Sequence, residues 1–203
     1  MTTPHPIEVE SYRLLDQRVD LSHLAPLVRA VVARVIHATA DTDYAGTMVL
    51  DENAVLAGIE AVRIGAPVIT DVEMVGHGIT GTASVCCLDE IESTPPSGPT
   101  RSARAMALAA RRHPTGAVVA VGCAPTALLE AVRMATEEAF APAVIVGLPV
   151  GFVGAADAKA AARASGLPTI TNVGEKGGSA VAAAAVNAIV RLARAPGGGG
   201  DSG

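Results

Sequence analysis

The sequence predicts an α/β protein: a single three-layer α/β/α domain over residues 1–195, built on a mainly parallel sheet. Two patterns carry that prediction. From residue 101 onward short apolar runs alternate with amphipathic segments, and strands alternating with helices of about 10 to 15 residues build βαβ units. The runs Ala117-Val118-Val119-Ala120-Val121 and Ala143-Val144-Ile145-Val146 are apolar without alternation, as strands are when helices cover both faces of their sheet. At 203 residues the chain also has the length of one domain.

The elements follow in order. Leu24, Leu27, Val28, Val31, Val32 and Val35 recur at the three-and-four spacing of an amphipathic helix. That spacing predicts a helix over 20–36, capped by Asp20 or Ser22, tolerating Pro26 in its first turn and ending near His37. A second helix is predicted from 51 to 64, closed by Gly65, and Ala66-Pro67-Val68-Ile69-Thr70-Asp71 reads as a short strand. Residues 83–88 read as another strand, and the Pro-, Ser- and Gly-rich stretch 93–99 as a loop. Helices are then predicted at 101–112, 125–139, 155–165 and 179–194, with strands at 117–121, 143–147 and 168–172 between them. The tail 196–203 has no core-forming side chain beyond its first residue and is expected to be disordered.

Composition excludes several function classes. Half of the residues are hydrophobic and 17% are charged, enough apolar surface to offset the entropy of ordering the chain. A net charge of −5 supplies no positive field for a nucleic-acid backbone, and 2% aromatics with no Trp leave little on which bases could stack. No run of about 18 apolar residues occurs and no charged-then-apolar leader opens the chain, so a soluble, unexported, cytoplasmic protein without a membrane partner is expected. Cys86 and Cys87 are adjacent and Cys123 stands alone, a spacing that fits neither disulfides nor zinc. No two histidines share ligand spacing, so no protein-bound metal is expected.

In an open parallel sheet, ligands bind beyond the carboxyl ends of the strands. The predicted turns there are 70–74, 122–126, 147–154 and 174–179, several of them rich in glycine. The chain has 13 Arg and two Lys, and both lysines, Lys159 and Lys176, lie in or just after these turns. Two readings stand: an anion-attracting cleft suited to a polycarboxylate or phosphate, or glycines that merely permit tight turns beside solvated lysines. Nucleotide motifs fail, because 147–154 lacks the close first glycine pair of a dinucleotide fingerprint and 174–179 has Lys and Ser in the wrong order for a P-loop.

His37 is the sharper candidate. Arg34 precedes it by three residues, on one helical face, so an imidazole able to transfer protons near neutral pH and a carboxylate-gripping guanidinium would point together. The alternative is a histidine stabilising the end of its helix through the dipole. Arg101, in the first turn of a helix capped by Thr100, stands against the dipole preference, which suggests either an anionic partner or a solvated surface charge. His77 reads as a loop residue; His5, His23 and His113 read as surface positions.

Taken together, six stretches resemble the precorrin-8X methylmutase (precorrin isomerase) family of the corrin pathway to vitamin B12. They are Arg34-Val-Ile-His37-Ala, Gly65-Ala-Pro-Val-Ile-Thr-Asp71-Val-Glu-Met74-Val, Thr100-Arg101-Ser102, Ala124-Pro125-Thr126-Ala127-Leu128, Pro149-Val150-Gly151-Phe152-Val153-Gly154-Ala155-Ala156, and Gly177-Gly178-Ser179 with Asn187 beyond. The match spans about residues 7 to 192. The resemblance implies an isomerase that moves a methyl group from C-11 to C-12 of precorrin-8X, a tetrapyrrole, to give hydrogenobyrinate or its cobalt counterpart. It implies His37 as proton donor and acceptor, with Ser11, Arg34 and Arg101 contacting substrate, and a homodimer with active sites near the subunit interface. Migration within one molecule calls for no external methyl donor, and no cofactor is expected. Two departures from the family pattern stand out: Cys123 where Asn is usual, and Asp157-Ala158 where Glu-Ser is usual. Competing expectations are a non-catalytic corrinoid carrier and, disfavoured by the failed fingerprint, a nucleotide-dependent oxidoreductase.

Overall fold

The computed structural model describes residues 5–92 and 97–195; the expected tail and residues 93–96 of the expected loop lie outside the described residues. In chain order the elements are α1 (Pro6–Arg18), α2 (Pro26–Thr39), α3 (Tyr44–Thr47), β1 (Met48–Val49), α4 (Glu52–Arg63), β2 (Val68–Thr70), α5 (Glu73–Gly78), β3 (Ser84–Cys86), α6 (Arg101–Arg112), β4 (Val118–Val121), α7 (Pro125–Glu137), β5 (Val144–Gly147), α8 (Ala155–Ala164), β6 (Thr169–Asn172) and α9 (Ser179–Arg194). The strands form one sheet in the order β1-β6-β5-β4-β2-β3. All neighbours run parallel except β1, which lies antiparallel to β6 through Met48 opposite Asn172.

Alternation along the buried strands sorts the helices into two layers. Val68, Val118, Ala120, Val144, Val146 and Ile170 pack with residues of α2, α4 and α9. Their neighbours Ile69, Val119, Val121 and Ile145 pack instead with α6, α7 and α8. Register keeps the two sets aligned across the sheet, with Val68 opposite Val118 and Val118 opposite Val144. The expected three-layer α/β/α arrangement follows, and the uninterrupted apolar runs are explained by helices on both faces.

Most predicted elements fall where the pattern put them. Asp51 caps α4 by accepting the Ala54 N–H at 2.8 Å, and Thr100 caps α6 by accepting that of Ala103 at 3.2 Å. The first predicted helix is corrected at both ends. Its cap is Ala25, because Pro26 fixes the first helical φ and has no N–H to satisfy. Asp20 instead accepts the Ser22 N–H at 2.8 Å in a turn ahead of the helix. The other end runs to Thr39, where Ala40 adopts a left-handed conformation, φ 55°. Helix α1 was not expected, and α5 places His77 in a helix rather than a loop.

Lys159 departs furthest from both readings of the carboxyl edge. It lies in the first half of α8, fully buried, and its ammonium donates to Asn172 Oδ1 at 3.0 Å and to the Lys176 carbonyl at 2.6 Å. It is therefore neither solvated nor open to a ligand; it ties α8 to the turn after β6. Burial, reinforced by the nearby Arg163 charge, lowers its pKa to about 8. Between that value and the ordinary lysine value near 10.4 the unfolded chain holds a proton that the folded chain has released, so stability rises with pH across this window. Denaturant titrations should show wild-type stability increasing from pH 8 toward pH 10 by about 2 to 3 kcal/mol relative to Lys159→Met, whose curve lacks this contribution.

Candidate active site

The carboxyl ends of the parallel strands are held by internal polar contacts. Directly after β2, the buried Asp71 accepts the N–H groups of Gly122 at 3.0 Å, Cys123 at 2.8 Å and Ala124 at 2.7 Å. One carboxylate thus shapes the turn from β4 into α7. Burial pushes its pKa up, against the pull of those three donors. Lys176, in the turn after β6, donates to Asp41 at 2.8 Å and Asp43 at 2.7 Å, and these two hydrogen bonds hold its pKa above the usual ammonium range. Both lysines are therefore committed within the protein, which corrects the anion-cleft reading of this edge as far as lysine is concerned.

Lys176 also fixes the segment that follows α2, and His37 stands in the last turn of that helix. Its Nδ1 lies 2.7 Å from Ser11 Oγ on α1. The imidazole stacks on Tyr12, ring centroids 4.8 Å apart and planes within 6°. A groove of about 480 Å³ opens beside the pair, lined among others by Ile7, Ser11, Leu14, Ile36, His37 and Thr42. Nε2 has no hydrogen-bond partner among the described residues. A hydroxyl can donate to Nδ1 or accept from it: in the first case the proton of the neutral ring sits on Nε2, in the second Nε2 is a base, and its protonation gives an imidazolium that can act as an acid. The arrangement is unlike that of a hydrolytic triad, in which a carboxylate takes Nδ1 and the serine meets Nε2.

The family model described as precorrin-8X methylmutase matches residues 6–192. The chain belongs to the precorrin-8X methylmutase family. It is an isomerase of cobalamin biosynthesis. The chain is 40% identical over 167 residues to the cobalt-precorrin-8 methylmutase of Methanocaldococcus jannaschii, covering 81% of this chain and 79% of that one. It is 37% identical to the precorrin-8X methylmutase of Pseudomonas aeruginosa, with 89% and 91% covered. The structure of precorrin-8X methylmutase from Thermus thermophilus superposes with a TM-score of 0.81 at 36% identity, covering 93% of this chain and 98% of that one.

In this methylmutase the four candidate residues do not share one site. Ser11 and His37 meet. Arg34 lies 3.7 Å from Glu8 Oε1, which also accepts from Arg191 at 2.9 Å, and it lines a neighbouring groove with Tyr12 and Arg191. Arg101 donates to the Ile91 carbonyl at 3.0 Å and to Asp89 at 3.2 Å; its helix belongs to the opposite layer, and it does not line the His37 groove. Tyr12, Glu8 and Arg191 were missed. Reading α1 as a helix would have exposed the first two, since Glu8, Ser11 and Tyr12 fall within one turn of each other. Among the described residues no group of three or more His, Cys, Asp or Glu side chains is placed to hold a metal ion, and no helix is long and apolar enough to cross a membrane.

The electrostatics of His37 follow from this layout. Desolvation lowers its pKa most, the positive charge of Arg34 lowers it further, Glu8 opposes them and Arg191 adds a last downward push. The imidazolium limb in a pH titration of the methylmutase should thus fall below the ordinary value near 6.5. NMR titration of His37 should show this limb moving to higher pH in Arg34→Gln and to lower pH in Glu8→Gln, with both displacements shrinking in high salt.

Proposed function

We propose that this methylmutase moves a methyl group from C-11 to C-12 of precorrin-8X, giving hydrogenobyrinate or its cobalt-containing counterpart, with His37 as proton donor and acceptor. The observation that carries the reading is the Ser11–His37 contact of 2.7 Å at the edge of an apolar-walled groove. Migration across a conjugated ring system is assisted when a ring atom is protonated, because electron density at the migration terminus changes as the methyl carbon breaks one C–C bond and forms the next. The His37 imidazolium can give that proton from Nε2 and become neutral imidazole, and the neutral ring can take one back when conjugation is restored. Partial burial and the Arg34 charge disfavour the imidazolium, which makes it a stronger acid once formed, and the Ser11 hydroxyl can accept from Nδ1–H both in the imidazolium and in the neutral ring that remains.

A macrocycle bearing many carboxylates also accounts for arginines on an acidic chain. In this reading Arg34 holds one acid group beside Tyr12. Arg101 stands outside the groove of its own chain, so its contact with substrate requires a homodimer in which the second copy brings Arg101 to the His37 groove.

The test is anaerobic incubation of the purified protein with precorrin-8X, followed by its visible spectrum. Wild type should produce the hydrogenobyrinate spectrum. His37→Ala should remain folded by circular dichroism and lose roughly 100-fold or more in rate, the usual scale for removing a general acid or base. A precorrin spectrum that is bound but unchanged in wild type would show a carrier and overturn the isomerisation reading; wild-type turnover in His37→Ala would remove the histidine from the mechanism.

A further inference from the structure

Arg18 lines the same groove as His37, and nothing in the established activity uses it. It ends a single face of α1: Ile7, Ser11, Leu14 and Arg18 follow at helical spacing, and all four border the groove. Leu14, between Ser11 and Arg18, is 36% exposed, and Ile7, on the far side of Ser11, is 74% exposed, so the groove wall along this face is open and apolar. Glu10, the carboxylate on the same groove, is already gripped by Arg13 through two contacts of 2.7 Å. Among the described residues Arg18 makes no ion pair and no side-chain hydrogen bond. Arg34 and Arg101, by contrast, are engaged with Glu8 and with Asp89 and Ile91.

We infer that Arg18 is a further substrate-binding residue, which grips a peripheral carboxylate of the tetrapyrrole while the ring lies along the apolar wall toward His37. The inference rests on the proposed function for the identity of the ligand. Arg18 follows Ser11 by seven positions of helix, about 10 Å along the axis, so the cation stands away from the reacting centre and acts in binding and orientation. A guanidinium suits the task because its planar fork matches a carboxylate with two parallel hydrogen bonds. Arg18 is also a cation in the last turn of α1, where it complements the helix dipole, and the experiment must separate the two roles.

Wild type, Arg18→Gln, Arg18→Lys and Arg29→Gln are compared, the last removing an exposed charge on α2 outside the groove. Spectrophotometric titration with precorrin-8X under anaerobic conditions gives Kd, and time courses give KM and kcat. Arg18→Gln should raise Kd and KM about tenfold, equivalent to about 1.4 kcal/mol, with kcat and the thermal midpoint unchanged. Arg18→Lys should recover part of the loss, since an ammonium keeps the charge without the fork, and Arg29→Gln should match wild type. Wild-type Kd and KM in Arg18→Gln would overturn the inference, and a lowered midpoint with those constants unchanged would mark Arg18 as a helix-end charge only. If wild type binds precorrin-8X without converting it, the isomerase reading fails while the Kd comparison still decides Arg18; if wild type does not bind it, both fail.

Discussion

The spacing between α9 and the elements around it sets the position of nearly everything on the His37 face. Residues Ala182, Ala183, Ala184 and Ala185 give that helix a smooth surface, buried against the sheet and its neighbours. The partners match it with missing side chains: a Cβ on Gly78 would stand 2.8 Å from Ala183 Cβ, and one on Gly122 would stand 2.8 Å from Ser179 Cα and 3.0 Å from Ala182 Cβ. Such distances are far inside ordinary contact, so a methyl group at either position forces backbone to move. With α9 seated this closely, α2 packs down on it, His37 arrives at the end of α2, and α1 closes over His37 with Ser11 and Tyr12. A core with almost no aromatic residues is the same solution seen from the inside.

How much of this was legible depended on where each signal resided. The bounds of α6 and α9 are written locally, in a Thr cap and in unbroken helical periodicity, and the structure reproduces them. Helix α1 was illegible because its apolar side chains do not form a buried stripe: Leu15 alone is buried, and Ile7 and Leu14 border the groove. The pairing of Ser11 with His37 joins residues 26 apart in sequence, a separation that periodicity cannot bridge; there the family resemblance named both residues and the fold brought them together. Lys159 was misread as an edge residue because a glycine-rich turn precedes it. The clue was present, since Ala155, Ala158 and Ala162 mark the buried face of α8 and position 159 falls within it.

Charge on the sheet's carboxyl edge is mostly spent inside the protein. Asp71 organises a turn, Lys159 anchors another, and Lys176 bridges to Asp41 and Asp43. Two of the glycine-bearing turns are thus each fastened by a polar side chain from a different element, the turn after β4 by Asp71 and the turn after β6 by Lys159. Around Tyr12 the cations are Arg13, Arg34 and Arg191, from α1, α2 and α9. The Cys123 departure fits this division, because the backbone N–H at that position serves Asp71 whichever side chain it carries.

The scarcity of aromatic residues has an optical consequence. The chain contains no Trp and two Tyr; Tyr44 is sealed in the core, and Tyr12 is stacked on His37. Near-ultraviolet absorption and emission of the folded protein therefore come from two phenols in contrasting surroundings, one of them in van der Waals contact with the imidazole of the site. Changes in tyrosine emission when a ligand enters the groove beside His37 would arise chiefly at Tyr12, so the protein carries its own reporter, with no engineered label, against the Ser11–His37 pair.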